Sequence, residues 1–104
     1  MPTDKTTSPA PHAMFRGRRI DLVVDVRSRL EYWTGHLDGA KCVPLNAIDE
    51  LAKRTGAEPN TRIMVYCAGG SRSAAAAARL KALGFFHVTD GGGMQSAASH
   101  YVAA

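Results

Sequence analysis

Residues 62–84 constrain this chain more than any other stretch. Arg62-Ile63-Met64-Val65-Tyr66 is a compact apolar run, long enough for a strand buried on both faces and too short for a helix. It leads without a spacer into Cys67-Ala68-Gly69-Gly70-Ser71-Arg72-Ser73, then into five successive alanines, Leu80 and Leu83, and finally Gly84. Alanine is the best helix former and its small side chain lets a helix lie close to a sheet, so Ser73 to Leu83 reads as a helix that Gly84 stops. A buried strand, a tight loop and a helix in that order make a βα unit, which commits the chain to an α/β fold.

The same alternation recurs on either side. Leu22-Val23-Val24-Asp25-Val26 reads as a strand, Ser28 to Trp33 as a short helix ended by Gly35, and Lys41 to Leu45 as a second strand closed by Pro44. Asn46 is a good N-cap for a helix over Ala47 to Thr55, which puts Ile48, Leu51, Ala52 and Thr55 on one face and Gly56 just past the end. Pro59 and Asn60 turn the chain, Phe85 to Thr89 is a further strand, Gly91 to Gly93 a tight turn, and Met94 to Val102 a last helix. Four βα units in series predict a small parallel β-sheet of about four to five strands with helices on both faces.

A length of 104 residues holds one domain. Residues 1–14 are rich in Thr, Ser and Pro and lack an apolar period, so residues 1–19 are expected to form a flexible basic tail ahead of a single domain over residues 20–104. The net charge of +4 resides mostly in that lead, in Lys5, Arg16, Arg18 and Arg19. No interleaved aromatics accompany these cations, so no nucleic-acid partner is expected. No run approaches the roughly 18 apolar residues of a membrane span, and no signal-peptide core precedes Ile20. The expected address is cytoplasmic by default, or periplasmic if an export leader has been removed. Cys42 and Cys67 do not make a disulfide framework.

Chemistry concentrates in the loop after Tyr66. Functional sites of open parallel sheets lie at the carboxyl ends of the strands, where Cys67 falls. Gly69 and Gly70 let the backbone curl, the following helix turns its free amides and positive dipole end toward the sulfur, and Arg72 adds a cation. These effects lower a thiol pKa from its usual value of about 8.5. A cysteine serving only as a small buried hydrophobe gains nothing from such an anion cradle. A Walker phosphate loop is excluded because no Gly-Lys-Ser/Thr ends the turn.

Asp25-Val26-Arg27, Glu31-Tyr32, Gly35 to Ala40, Pro44-Leu45 and Cys67 to Ser73, in this order and spacing, resemble the rhodanese family, above all the minimal single-domain rhodaneses of the phage-shock type. The likeness covers about residues 21–93. It implies a thiosulfate sulfurtransferase in which the Cys67 thiolate takes a sulfur from thiosulfate or another sulfane-sulfur donor and passes it to cyanide, a small thiol or a protein thiol. Under it, Ala68, Gly69, Gly70, Ser71, Arg72 and Ser73 bind the substrate, Asp25 and Arg27 support the site, and neither a metal nor an organic cofactor is needed. Arg27 is expected to pair with Glu31. Four residues separate Cys67 from Arg72, whereas the related cysteine phosphatases and arsenate reductases have a loop one residue longer, so the tighter ring suits a single sulfur. A persulfide carrier or redox-sensing module with little turnover is the alternative.

Other polar residues take structural readings. His36 caps the Gly35 to Gly39 turn, Trp33 is a partly buried core residue, and Cys42 is a small buried strand residue or, alternatively, a resolving thiol for Cys67. The family pattern of a tryptophan after the glycines is missing, Tyr101 being the first aromatic beyond them, and the short lead implies that the usual first strand and helix are reduced.

Overall fold

The central strand owes its place to composition, since Arg62–Cys67 (β5) is the longest apolar run and lies between two neighbours that shield it. The computed structural model describes residues 12–104. Its elements are the strands Ala13–Phe15 (β1), Arg18–Ile20 (β2), Leu22–Asp25 (β3), Lys41–Cys42 (β4), β5, His87–Gly93 (β6) and Tyr101–Val102 (β7). The helices are Arg29–Trp33 (α1), Leu51–Thr55 (α2), Ser71–Ala82 (α3) and Met94–Ala98 (α4), with a 3-10 helix over Leu45–Glu50 leading into α2. Strands β4, β3, β5 and β6 form a parallel sheet in that spatial order, with Val24 opposite Val65 and Asp25 opposite Tyr66. The expected α/β architecture is therefore present.

Alternation along the strands sorts the core into two layers. Val24, Val26, Ile63, Val65 and Cys67 pack with Val43, Ile48, Leu51, Ala76, Ala77 and Leu80, so the 3-10 helix, α2 and α3 cover this face. Val23, Met64 and Tyr66 point the other way and meet Phe15, Ile20, Leu37, Ala40 and Ala97, with Tyr32 of α1 and Met94 of α4 alongside. Ala76 and Ala77 are both buried, which is the close helix-to-sheet approach that the alanine run provides.

Several boundaries differ from expectation. Among the described residues, regular structure is already present at Ala13 and does not wait for Ile20, because β1 and β2 pair as an antiparallel hairpin whose two turn residues, Arg16 and Gly17, both have positive φ (51° and 77°). That is the backbone a two-residue hairpin needs to match strand twist, and only its second position carries the usual glycine. Residues 13–19 thus belong to the fold, and residues 1–11 of the expected tail lie outside the described residues. The expected C-terminal helix stops at Ala98, since Tyr101 and Val102 pair with Phe15 and Met14 to complete a second sheet, ordered β2-β1-β7. Gly91 to Gly93 continue β6 instead of turning, with Gly93 opposite Cys67 across a register shift.

Trp33 is also misplaced by the sequence reading. It is 73% exposed, because α1 is a single short helix with no buried residue, and its one inward anchor is Tyr32, whose Oη donates to Ala40 O at 2.7 Å. Trp33→Ala is accordingly expected to change the unfolding free energy by less than about 0.5 kcal/mol, measured by urea denaturation. A loss of several times that would restore Trp33 to the core.

Candidate active site

Cys67 ends β5 and its side chain is wholly buried. Its Sγ accepts hydrogen bonds from Gly70 N at 2.9 Å and Ser73 N at 3.3 Å, both from the loop that turns into the twelve-residue helix α3. Gly70 makes the turn, at φ 107°, where a side chain is strained. Gly69 does not share this duty, for a Cβ built on it meets nothing within 4 Å. The helix begins at Ser71, two residues earlier than expected, so its first free amides lie inside the loop.

Burial pushes the Cys67 thiol pKa up, but the Ser73 hydroxyl and the backbone amides of Ser73, Gly70 and Arg72 outweigh it, leaving the thiol more acidic than usual. The Ser73 hydroxyl has one proton to give, and it also lies 3.0 Å from Gly70 O and 3.4 Å from Gly92 O. The amides are thus the constant part of the cradle. Gly70→Ala is expected to destabilise the protein by about 1–3 kcal/mol through strain at positive φ and to raise the thiol pKa, while Gly69→Ala does neither. Alkylation rate against pH, with denaturation, checks both, and equal effects at the two glycines would contradict the geometry.

The glycines of β6 support the loop from behind. A Cβ on Gly93 would come within 2.7 Å of Ala68 O, and one on Gly91 within 2.6 Å of Met64 Sδ. Ala68, Gly69 and Ser71 stand exposed on the rim.

Arg72 sits differently from its expected place. Its guanidinium binds Glu31 through two parallel hydrogen bonds, Nη1 to Oε1 at 2.7 Å and Nη2 to Oε2 at 3.0 Å, and reaches the sulfur's surroundings through its backbone amide. Glu31 is itself fixed by a capping box: its backbone N donates to Ser28 Oγ at 3.2 Å, and Ser28 N donates to Glu31 Oε1 at 3.1 Å. Arg72 first, and then the Ser28 amide, pull the Glu31 carboxyl down to about 2. Because this pKa is depressed on folding, the link is fully present above the ordinary carboxylate range and fails only as pH drops toward that value.

The expected Arg27 to Glu31 pair is therefore replaced. Arg27 turns inward to Asp25, with Nη2 to Oδ2 at 2.7 Å and Nε to Oδ1 at 3.0 Å, and Nη2 also donates to Gly35 O at 2.6 Å. Both residues are buried, where a bidentate partner two positions away satisfies the guanidinium far better than a half-exposed Glu31. Arg27 also lies 5.9 Å from the Tyr66 ring centroid, and Tyr66 Oη accepts from Leu37 N at 2.9 Å. Burial first of all raises the Tyr66 pKa, so this phenol stays protonated. Asp25, Arg27 and Tyr66 thereby brace the strand ends beneath the loop.

Of the remaining residues, His36 stacks on Tyr32 at 3.7 Å and its Nδ1 lies 2.9 Å from Tyr32 O, so it braces its turn. Cys42 is half-buried with Sγ 3.9 Å from Arg27 O, and burial pushes its thiol up. Sequence reasoning missed Glu31 as a partner of the loop. The Ser28-x-x-Glu31 pattern signals its capping role, but nothing local signals Arg72, 41 positions on.

A parallel-sheet domain with a strand-end cysteine in a ring of amides defines a class of small α/β proteins built around a stabilised thiolate. The rhodanese-like domain family matches residues 12–98, and the chain belongs to that family. It is 32% identical over 75 residues to the thiosulfate sulfurtransferase PspE of Escherichia coli (strain K12), covering 72% of each protein. It is 33% identical over 93 residues to a tRNA uridine(34) hydroxylase of Protochlamydia amoebophila (strain UWE25), of which it spans only 29%. Among solved structures, a rhodanese with anions from E. coli superimposes with a TM-score of 0.69 at 30% identity, over 80% of this chain and 98% of that one.

Proposed function

We propose that the chain is a sulfurtransferase whose nucleophile is Cys67. The observation that carries this reading is the buried Cys67 sulfur held by the Gly70 and Ser73 amides, an arrangement that stabilises a thiolate and equally a persulfide anion. The likeness to PspE supports thiosulfate as a donor. The Cys67 thiolate attacks the outer sulfur of thiosulfate, a new S–S bond forms, and the donor's S–S bond breaks with its electron pair leaving on sulfite. Cyanide or a thiolate then attacks the outer persulfide sulfur, leaves as thiocyanate or a persulfide, and restores the Cys67 thiolate. No proton is gained or lost in either step with anionic partners. The amides of Gly70, Arg72 and Ser73 hold the sulfur, Ala68, Gly69 and Ser71 form the rim a donor crosses, and Asp25 and Arg27 position the loop.

Intact-protein mass spectrometry before and after thiosulfate, followed by a cyanide chase, tests the cycle. A gain of one sulfur that cyanide removes is expected. A folded protein with a free thiol and no gain from thiosulfate or any other sulfane donor would overturn the reading.

A further inference from the structure

At the end of the sheet away from Cys67, Arg18 to Ile20 of β2, Arg62, and Phe86 to Thr89 where β6 begins line a cavity of about 510 Å³. Arg62 opens the strand that Cys67 closes, so about 16 Å of β5 separates this cavity from the sulfur. Three of the lining residues are arginines, and no acidic residue among the described ones lines it. Cations converging on one concave surface raise a positive potential that gathers anions. Asp21, next in the chain after Ile20, displays how a carboxylate is held here: it accepts from Arg62 N at 3.0 Å and from Arg19 Nε at 3.1 Å. The Arg62 amide first, and then the Arg19 guanidinium, keep this carboxyl below its usual pKa against the opposing pull of burial.

Both strands at this cavity are edges. Among the described residues, β2 is paired only with β1 and β6 only with β5. An edge strand carries backbone N–H and C=O groups with no ladder partner, a template for one more strand. Arginines beside such an edge repel a basic strand and receive an acidic one. Phe86, 71% exposed, adds an apolar contact for a side chain of the same strand. Residues 1–11 contain one aspartate and one lysine, so the chain's own lead is not an acidic strand. We propose that this cavity docks an extended acidic segment of a partner protein, which adds a strand along the outer edge of β6 and sets its carboxylates on Arg18, Arg19 and Arg62, with an apolar side chain against Phe86. The docking is independent of the chemistry at Cys67.

Fluorescence anisotropy on the full chain tests this with a labelled peptide that alternates glutamate and valine. It is run beside the same peptide with lysine for glutamate, one with two central prolines, and a single-stranded RNA of equal charge. The glutamate peptide is expected to bind and the lysine peptide not to. The proline peptide, which has lost backbone donors on both sides of the strand, is expected to bind about fivefold more weakly. Arg18→Ala combined with Arg62→Ala is expected to weaken the glutamate peptide about tenfold, and Phe86→Ala about threefold. Both arginine side chains are exposed and the Arg62 amide on Asp21 survives the substitution, so the denaturation midpoint and the Cys67 alkylation rate should stay at wild-type values. Bound peptide is expected to slow amide exchange over His87 to Thr89. No binding of the glutamate peptide, equal binding of the proline peptide, no loss in the arginine variant, or tighter binding of the RNA would each overturn the proposal, the last by making the cavity a nucleic-acid site.

Discussion

Cys67→Ser is expected to take up no sulfur from any donor and to retain less than about one thousandth of the wild-type turnover, while unfolding at nearly the wild-type denaturant concentration. The two halves of this expectation come from the same geometry. The side chain is buried and its Sγ receives the Gly70 and Ser73 amides, and a hydroxyl of similar shape can accept both bonds, so little packing or hydrogen bonding is lost. Reactivity has no such substitute. The cradle makes the Cys67 thiol more acidic than usual, but a serine hydroxyl lies far beyond what a few amides can shift. Intact mass after exposure to thiosulfate, together with a cyanide assay and a denaturation curve, checks both halves. Sulfur retained by a folded Cys67→Ser protein would move the nucleophile to Cys42, against the burial that keeps that thiol protonated.

Asp25→Ala is expected to destabilise the fold by about 3–5 kcal/mol, the scale for removing one partner of a buried ion pair. The Asp25 side chain is fully buried and that of Arg27 is 6% exposed, so the variant leaves the guanidinium, among the described residues, with Gly35 O as its remaining acceptor. The loss is mostly the desolvation of an unpaired charge and not the worth of the pair. The double variant Asp25→Ala with Arg27→Met should therefore be less damaged than Asp25→Ala alone. Urea unfolding of the two single variants and the double variant closes the cycle. Additive losses would show that the two side chains are not coupled in the way their three hydrogen-bond contacts indicate.

The catalytic-type loop was legible because everything that shapes it is contiguous. Tyr66 to Ser73 contains the strand end, the positive-φ glycine, the buried Cys67 sulfur and the first helical amides, and each works at short range. Asp25 and Arg27 were legible as its neighbours because they fall at the end of the adjoining strand. Which carboxylate each arginine takes was not, since Asp25 and Glu31 are both close to Arg27 in sequence and only burial decides between them. The same limit applies to the second sheet. Met14 and Phe15 pair with Arg19 and Arg18 across the hairpin and with Val102 and Tyr101 far along the chain, and runs of two or three residues leave no periodic pattern to announce either. Gly91 to Gly93 read as a turn by composition, yet the need for a bare backbone against Ala68 and Met64 makes them a strand.

That second sheet ties together segments from opposite ends of the described chain, with β1 bridging its neighbour β2 and the last strand β7. Ordering so long an intervening chain is entropically expensive and returns few hydrogen bonds, so this pairing belongs to the late stages of folding. Strands β3 and β5, by contrast, are joined over four register positions and packed on both sides. The molecule is thus graded in its resistance to opening, with the short three-stranded ribbon exchanging its amide hydrogens soonest and the strand that bears Cys67 among the last. Transient fraying of that ribbon leaves the surroundings of the Cys67 sulfur closed.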